Sequence, residues 1–300
     1  MVNMFEPALL VLHSPAKPAA GAADPVEPVF TQHDTAAPVA NALDLGITRG
    51  DGIFETITVI NGMPQALDAH LKRFARSARM LELPEPDAAA WKHTLLAAID
   101  SRELVPEAFV KLLYSRGVEG SGQPTGWVWL AESGDFTKAR TEGIRVVLLD
   151  RGYASTVEQT SPWLLQGAKT LSYAVNRAAL REAERRGADD VIFVSSDGYL
   201  LEGPTSTVVL KLDDRFVTPR TTLGILPGTT QESIFEIARV NGFETAYEVL
   251  TPADLRRADA AWLVSSVRNA APVNAVDGAP RAIDAELTEA INAGLASRTV

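Results

Sequence analysis

Two residues between positions 167 and 203 are of types that together do carbonyl chemistry. Lys169 stands where a helix is predicted to start, and Glu202 follows a strand and the Asp197-Gly198 turn, at the head of the next predicted strand. A lysine amine forms Schiff bases, and a carboxylate keeps a pyridine nitrogen protonated, so the pair suggests a pyridoxal 5'-phosphate (PLP) site. By type alone, both could also be ordinary solvated surface residues.

Only Lys111 and Lys169 are candidates for a nucleophilic lysine. The other lysines lie in loops, at a strand end or on the polar faces of predicted helices, where a surface role is the default: Lys17, Lys72, Lys92, Lys138 and Lys211.

Two segments of the second half could bind an anion. Thr229 and Thr230 follow a Pro-Gly turn at the start of a predicted helix, where free N–H groups and the helix dipole favour a phosphate. Thr229 with Glu232 also fits a capping box, which needs no ligand. Ser266 and Arg268 end an apolar strand, and they could complete an anion site or form a turn.

The elements of the first half are predicted from periodicity and turn residues. Gly50-Asp51-Gly52 leads into a β-branched strand that ends at the hairpin signal Asn61-Gly62. A helix starting near Ala69 carries the apolar stripe Leu71, Phe74, Ala78 and Leu81, with Arg73 one position off that stripe. A second helix over 87–102 and strands over 108–115 and 126–131 follow. Arg116, at a strand end, could bind a carboxylate or face solvent.

The length and pattern predict two domains. Three hundred residues exceed the usual size of one domain, and the stretch from Ser133 to Arg140 is polar without either hydrophobic period. We therefore predict an α+β domain over 1–133, a linker over 134–140 and a larger domain over 141–300. The Pro/Ala-rich segment from Ser14 to Pro28 is expected to be an irregular or partly disordered loop.

The composition excludes several classes of function. Cysteine is absent, and no two of His13, His33, His70 and His93 stand at metal-ligand spacing, so we expect no metal. A net charge of −10 disfavours nucleic acid as a partner. No apolar run is long enough to span a membrane and no secretory signal is recognised, so a cytoplasmic location is expected.

Six motifs in order resemble one family over nearly the whole chain, the class IV (fold type IV) PLP-dependent enzymes. This family includes branched-chain and D-amino-acid aminotransferases and 4-amino-4-deoxychorismate lyases. The sequences of residues 169–176 and 201–207 are most similar to those of the actinobacterial lyases. The matching motifs are Arg49-Gly-Asp-Gly-Ile-Phe-Glu-Thr56, His70-Leu-Lys-Arg73, Lys169-Thr-Leu-Ser-Tyr173, Gly187-Ala-Asp-Asp, Glu202-Gly-Pro-Thr-Ser-Thr207 and Leu226-Pro-Gly-Thr-Thr230.

The resemblance implies a mixed α/β, two-domain fold like that of D-amino-acid aminotransferase, a homodimer, and a role for each motif residue. Lys169 would form the Schiff base, so Lys111 becomes the less favoured candidate for the nucleophilic lysine. Tyr173 would hydrogen-bond the phenolic oxygen of the cofactor, and Glu202 would pair with its pyridine nitrogen. Four residues would hold the phosphate from both domains: Arg73, Thr229, Thr230 and Ser266.

The resemblance leaves two reactions open. One is a lyase reaction that gives 4-aminobenzoate and pyruvate in folate synthesis, and the other is transamination of D-amino or branched-chain L-amino acids with 2-oxoglutarate. Phe54 is a candidate substrate contact, and the D-amino-acid enzymes carry tyrosine at its position. Those enzymes also have an Arg-x-His trap in the loop that here reads 117–124, which has neither residue. Arg49, Arg116 and Arg268 are candidate contacts for substrate carboxylates. A PLP-binding protein without turnover is a further alternative.

Overall fold

The computed structural model describes residues 5–18 and 29–298. Two compact units are formed, and each is described here by itself. Unit 1 holds the described residues up to Gly134 together with Ala168–Tyr173, and unit 2 holds Asp135–Gly167 and Ala174–Arg298. Most of the predicted loop from Ser14 to Pro28 lies outside the described residues.

Unit 1 is a six-stranded antiparallel sheet with helices on one face. The strand order is β2-β1-β6-β5-β3-β4. The strands are β1 (Ala8–Leu12), β2 (Phe30–His33), β3 (Gly52–Ile60), β4 (Met63–Pro64), β5 (Glu107–Ser115) and β6 (Thr125–Glu132). The helices are α1 (Leu45–Thr48), α2 (Leu67–Met80) and α3 (Ala88–Asp100).

The core of unit 1 lies between the sheet and helices α2 and α3. Phe74 of α2 and Trp91 of α3 are buried, with ring centroids 4.9 Å apart, and Trp91 also contacts Tyr114 of β5. Aromatic pairs in this edge-to-face geometry stabilise a core beyond their buried area. The opposite face of the sheet carries half-buried side chains, among them Phe54 of β3.

Unit 2 is built on a mixed sheet of eight strands. Its order is β11-β10-β9-β12-β13-β7-β8, and β14 pairs with β13. The strands are β7 (Ile144–Asp150), β8 (Asp190–Val194), β9 (Thr207–Leu212), β10 (Arg215–Pro219), β11 (Glu244–Glu248), β12 (Ala260–Ser265), β13 (Asn269–Val276) and β14 (Ala279–Pro280). The helices are α4 (Thr137–Thr141), α5 (Val157–Thr160), α6 (Ala174–Arg185), α7 (Thr229–Val240), α8 (Pro252–Arg257) and α9 (Ala285–Ala296).

Both faces of the second sheet are covered. Helices α7 and α9 pack on one side around Trp262 and Phe235. Leu255 of α8 belongs to a separate apolar cluster with β-strand residues such as Leu210. In the described ranges no helix is both long and apolar enough to cross a membrane.

The segment predicted to be a linker over 134–140 is structured. Helix α4 begins in it, and Arg140 of α4 donates from Nη2 to the carbonyl of Val267 (3.0 Å) and from Nε to that of Arg268 (3.1 Å). Contacts with the rest of unit 2 therefore fix a polar stretch that has no apolar period of its own. The segment 168–173 also differs from the predicted domain limits, because it belongs to unit 1.

Candidate active site

Lys169 lies in an extended segment paired with β3, and the prediction that it starts a helix is wrong. Its carbonyl accepts a hydrogen bond from the Phe54 N–H (3.0 Å), and its own N–H donates to Ser77 Oγ of α2 (3.1 Å). Two residues on, Leu171 donates to the carbonyl of Gly52 (2.8 Å). Helix α6 begins only at Ala174. These bonds fix the backbone of Lys169 on the edge of unit 1.

The Lys169 side chain lies among aromatic rings. Its Nζ is 4.4 Å from the centroid of the Phe54 ring, within range for a cation–π contact. The Tyr173 ring meets Phe54 edge-on at 5.4 Å. Unit 1 therefore brings together three of the predicted site residues on the half-buried face of β3.

A buried charge cluster lies on the other face of the same strand. Arg73 of α2 donates from Nε to Glu55 Oε1 and from Nη2 to Glu55 Oε2, each at 2.7 Å. His70, one turn earlier on α2, bonds Glu55 Oε2 at 2.8 Å. Glu55 is fully buried, and His70 and Arg73 are buried as well. Two nitrogen atoms of the Arg73 guanidinium group, Nε and Nη2, are thus bound by a carboxylate of the same unit.

The electrostatics of this cluster keep Glu55 ionised. Burial alone would raise the pKa of Glu55, but the charges and hydrogen bonds of Arg73 and His70 outweigh burial and hold the pKa well below its usual range. Burial is also the main reason why the pKa of His70 lies below 6.5, against the opposing effect of Glu55. A buried carboxylate paired with arginine is the arrangement that removes the cost of an isolated buried charge.

Glu55 and His70 fall within two of the motifs, but the sequence alone assigns them no role. The signal was present in the alternation of β3, where Ile53, Glu55 and Ile57 all fall on the buried face. A carboxylate between two buried isoleucines requires a buried cation. Arg73, one position off the apolar stripe of α2, is that cation.

In unit 2, Glu202 lies close to the loop that precedes α7. Its Oε2 accepts a hydrogen bond from the Leu226 N–H at 3.1 Å, and its carbonyl accepts from the Phe193 N–H of β8 at 2.9 Å. Glu202 stands five residues before β9 begins, so it lies in a connection rather than at the head of a strand. Its carboxylate and the start of α7 are thereby brought to one end of the sheet.

Helix α7 begins without a capping side chain, which corrects the predicted capping box of Thr229 and Glu232. Gly228 is the N-cap, and no side-chain cap hydrogen bond is made. A Cβ at Gly228 would lie 2.3 Å from Thr207 Oγ1, so only glycine fits there. Thr229 and Thr230 are buried in the first turn. The helix dipole and uncapped first turn suit a phosphate.

Ser266 stands in the turn between β12 and β13, beside the start of β9, since Thr207 of β9 pairs with Val264 of β12. Arg140 holds the carbonyls of the two residues that follow Ser266. Arg268 Nη2 lies 2.7 Å from Oδ2 of the buried Asp190. Unit 2 therefore gathers Glu202, the α7 terminus and Ser266, whereas Arg268 is engaged in an ion pair of its own.

The remaining two arginines that were expected to bind substrate are placed differently. Arg116 donates to both oxygens of Asp51, at 2.6 and 3.2 Å, and to the carbonyl of Leu81 at 2.7 Å. The hydrogen bond and charge of Asp51 raise the pKa of Arg116. Arg49 is exposed and follows the short helix α1.

Comparison with known proteins identifies the family. Residues 52–276 match the family described as amino-transferase class IV. The chain belongs to this family. Its members are PLP-dependent enzymes, and the fold type IV prediction is confirmed by structural similarity.

Three relatives illustrate the similarity. A bifunctional aminodeoxychorismate lyase / D-amino acid transaminase from Mycobacterium tuberculosis is 43% identical over 273 residues, which cover 87% of this chain and 94% of the relative. A fold IV transaminase from Curtobacterium pusillum is 52% identical, with a TM-score of 0.92 and coverage of 98% and 100%. The PLP-bound form of an aminotransferase from M. tuberculosis is 42% identical, with a TM-score of 0.84 and coverage of 88% and 95%.

The residues present fit a phosphate-bearing cofactor. Ser206 Oγ is buried and has no hydrogen-bond partner among the residues that the structure describes. A Cβ at Gly203 would lie 2.5 Å from this hydroxyl, so glycine keeps space beside it. A buried hydroxyl without a partner costs about 1–3 kcal/mol, which a polar ligand would recover. Lys169 supplies the amine that PLP chemistry requires.

Proposed function

We propose that this protein is a PLP-dependent lyase that converts 4-amino-4-deoxychorismate into 4-aminobenzoate and pyruvate, a step of folate biosynthesis. The observation that carries the proposal is the position of Lys169, fixed by backbone bonds to β3 and α2 with its amine over Phe54. The choice of substrate is supported by the 43% identical bifunctional relative.

The proposed cofactor contacts follow the motif residues. Arg73, the first turn of α7 with Thr229 and Thr230, and Ser266 would bind the phosphate. Tyr173 would donate a hydrogen bond to the phenolic oxygen. Glu202 would hold the proton on the pyridine nitrogen, and bound PLP then supplies an electron sink for charge left on the substrate carbon.

Lys169 would act as the general base. Its Nζ would take the proton from the ring carbon that bears the substrate nitrogen. The bond between the neighbouring ring carbon and its ether oxygen would then break, and the enolpyruvate that leaves would take up a proton from the Lys169 ammonium to become pyruvate. Loss of the ring proton and of the enolpyruvyl group together makes the ring aromatic, which drives the reaction toward 4-aminobenzoate.

Transamination is the second candidate function. It is supported by the 52% identical fold IV transaminase and by the transaminase half of the bifunctional relative's name. In this reaction Lys169 would take the proton from the amine-bearing carbon and hold it for transfer away from the substrate, water would supply the carbonyl oxygen of the released oxo acid, and the amino group would pass to the acceptor oxo acid. D-amino acids are the first donors to examine, and branched-chain L-amino acids follow, because a 25% identical relative carries that name.

The test is incubation of the PLP-loaded protein with 4-amino-4-deoxychorismate in the absence of any oxo acid. We expect catalytic formation of both 4-aminobenzoate and pyruvate, abolished by Lys169→Ala and unchanged by Lys72→Ala on the exposed face of α2. Absence of both products would contradict the lyase. Amine transfer from D-alanine to 2-oxoglutarate by the same preparation would then favour the transaminase, and neither activity would favour a PLP-binding protein without turnover.

We also propose a homodimer. The support is a set of large apolar side chains that are exposed in the isolated chain, among them Val240 (87%), Trp163 (72%) and Leu104 (70%). An interface between two copies of the chain would remove such side chains from water. Sedimentation equilibrium is expected to give twice the chain mass, and a monomer at micromolar concentration would contradict the proposal.

A further inference from the structure

A serine lies in the buried part of helix α2, beside the apolar residues Phe74 and Ala78. Ser77 is fully buried. Alanine is a better helix former than serine, and burying a hydroxyl costs free energy unless the hydroxyl is hydrogen-bonded. The Oγ of Ser77 accepts a hydrogen bond from the Lys169 N–H at 3.1 Å. The buried serine thus has a partner in the segment Ala168–Tyr173, which carries the lysine proposed to react.

The bond from Ser77 belongs to a closed set of contacts between α2 and β3. Arg73 and Ser77 are neighbours on one face of α2, since residues four apart on a helix lie one above the other. Arg73 is bound to Glu55 of β3 by two hydrogen bonds of 2.7 Å. Phe54, next to Glu55 in β3, donates its N–H to the Lys169 carbonyl at 3.0 Å. Helix α2 and strand β3 are therefore joined twice, once by an ion pair and once through the two backbone groups of Lys169.

The residues that follow the lysine are held separately, by the chain that leads into β3. The Leu171 N–H donates to the Gly52 carbonyl at 2.8 Å, and the Ser172 hydroxyl donates to that of Gly50 at 3.1 Å. Glycine is needed for this approach, because a Cβ at Gly50 would lie 2.6 Å from Ser172 Oγ and one at Gly52 would lie 2.7 Å from Leu171 Cδ1. These bonds fix the end of the segment, whereas the hydroxyl of Ser77 fixes the N–H of the lysine itself.

We propose that Ser77 is a positioning residue, which sets the Lys169 amine relative to Arg73 so that a ligand bound by its phosphate presents its aldehyde to that amine. The inference rests on the proposed cofactor contacts of Arg73 and Lys169, and it holds for either of the two candidate reactions. Groups held at a fixed separation react without the entropy loss of bringing them together. Ser77 acts through the backbone of Lys169, so it should affect ligands that carry both phosphate and aldehyde and spare those with phosphate alone.

The experiment compares two ligands that differ at one carbon. PLP carries an aldehyde, and 4-deoxypyridoxine 5'-phosphate carries a methyl group in its place. Both are titrated spectroscopically into the full-length apoproteins of the wild type, Ser77→Ala, Ser77→Thr and the control Thr94→Val. Thr94 is a matched control because its hydroxyl is also buried in a helix of unit 1, where it donates to the Ala90 carbonyl of α3 at 2.8 Å.

Ser77→Ala should weaken PLP binding by about 10- to 100-fold, the cost of leaving a backbone N–H without its acceptor. Its affinity for 4-deoxypyridoxine 5'-phosphate should change by less than about threefold, which also shows that the variant is folded. Ser77→Thr keeps an oxygen acceptor at this position and should retain most of the affinity for PLP. Thr94→Val should bind both ligands as the wild type does.

The proposal is overturned if Ser77→Ala binds PLP as the wild type does, or if it loses affinity for both ligands equally, because Ser77 would then serve only the fold. A Ser77→Thr variant as weak for PLP as Ser77→Ala would also overturn it. The proposed reaction is tested apart from this. If the wild type binds PLP in the expected way but forms neither 4-aminobenzoate nor an oxo acid, the reaction fails and the role of Ser77 stands.

Discussion

At the scale of single residues, the buried Glu55–Arg73 pair is the strongest electrostatic feature of unit 1. Both oxygen atoms of the Glu55 carboxylate are hydrogen-bonded to Arg73, and one of them also to His70, at 2.7–2.8 Å. The pair holds the Arg73 fork at a fixed angle, which is what a bidentate contact achieves. We therefore assign Glu55 to positioning Arg73 and not to the reaction itself.

Replacing Glu55 by glutamine should lower the free energy of unfolding by about 3–5 kcal/mol, because the buried Arg73 loses its carboxylate. The double variant Glu55→Gln/Arg73→Met should cost clearly less than the sum of the two single changes, since no unpaired charge then remains. Urea unfolding of the four proteins measures this coupling. Additive costs would show that the two side chains are not coupled.

A matched control is available at the surface. Lys17 and Glu85 form an ion pair at 2.7 Å, but both side chains are more than half exposed. Glu85→Gln should therefore change the free energy of unfolding by less than about 1 kcal/mol.

At the scale of elements, the phosphate contacts proposed for unit 2 depend on the start of α7. Gly228 has φ −81°, a backbone conformation open to any residue, so the need for glycine there is a matter of space alone. The space is limited by Thr207, whose Oγ1 would lie 2.3 Å from an added Cβ.

Gly228→Ala should weaken PLP binding to the apoprotein by at least about tenfold, because the first turn of α7 must shift away from Thr207. Adding Thr207→Ala removes the hydroxyl in question and should restore much of the affinity. Spectroscopic titration with PLP measures both. Equal affinities of the wild-type protein and Gly228→Ala for PLP would show that the start of α7 does not bind the phosphate.

Elements with a strong local signal were predicted well from the sequence. Asn61-Gly62 forms the hairpin turn, with φ of 47° and 81°, as its dipeptide predicts. Strand β5 and helix α3 begin and end within two residues of their predicted limits, because alternation in the one and the Asp87 cap in the other are local signals. The predicted helix start at Lys169 was wrong because strand pairing with β3, a contact distant in sequence, governs that segment.

For the candidate site residues too, contacts distant in sequence could not be predicted. The motifs identified Lys169, Arg73 and Glu202 by type and order, but not the partners that position them. Asp51 and Asp190 engage two arginines that were expected to be available for substrate. Such pairs join residues 65 or more positions apart in the chain, so no spacing rule reveals them.

At the scale of the whole molecule, the two units do not correspond to two continuous stretches of the sequence. The segment Ala168–Tyr173 follows the first stretch of unit 2 in the chain, yet it belongs to unit 1 through its bonds to β3 and α2. Because Lys169, the lysine proposed to react, lies on this short return segment, one cut in the sequence cannot divide the chain into its two units. We expect separately expressed fragments 1–134 and 135–300 to lack the Lys169 environment for this reason.

The proposed role of Lys169 is tested most directly by reducing the PLP-loaded protein with borohydride, digesting it and locating the modified lysine by mass spectrometry. We predict that PLP is attached to Lys169 in the wild-type protein, and that Lys169→Ala carries no stoichiometric label. Attachment of PLP to Lys111 or to another lysine, with Lys169 unmodified, would contradict the assignment on which the proposed reaction rests.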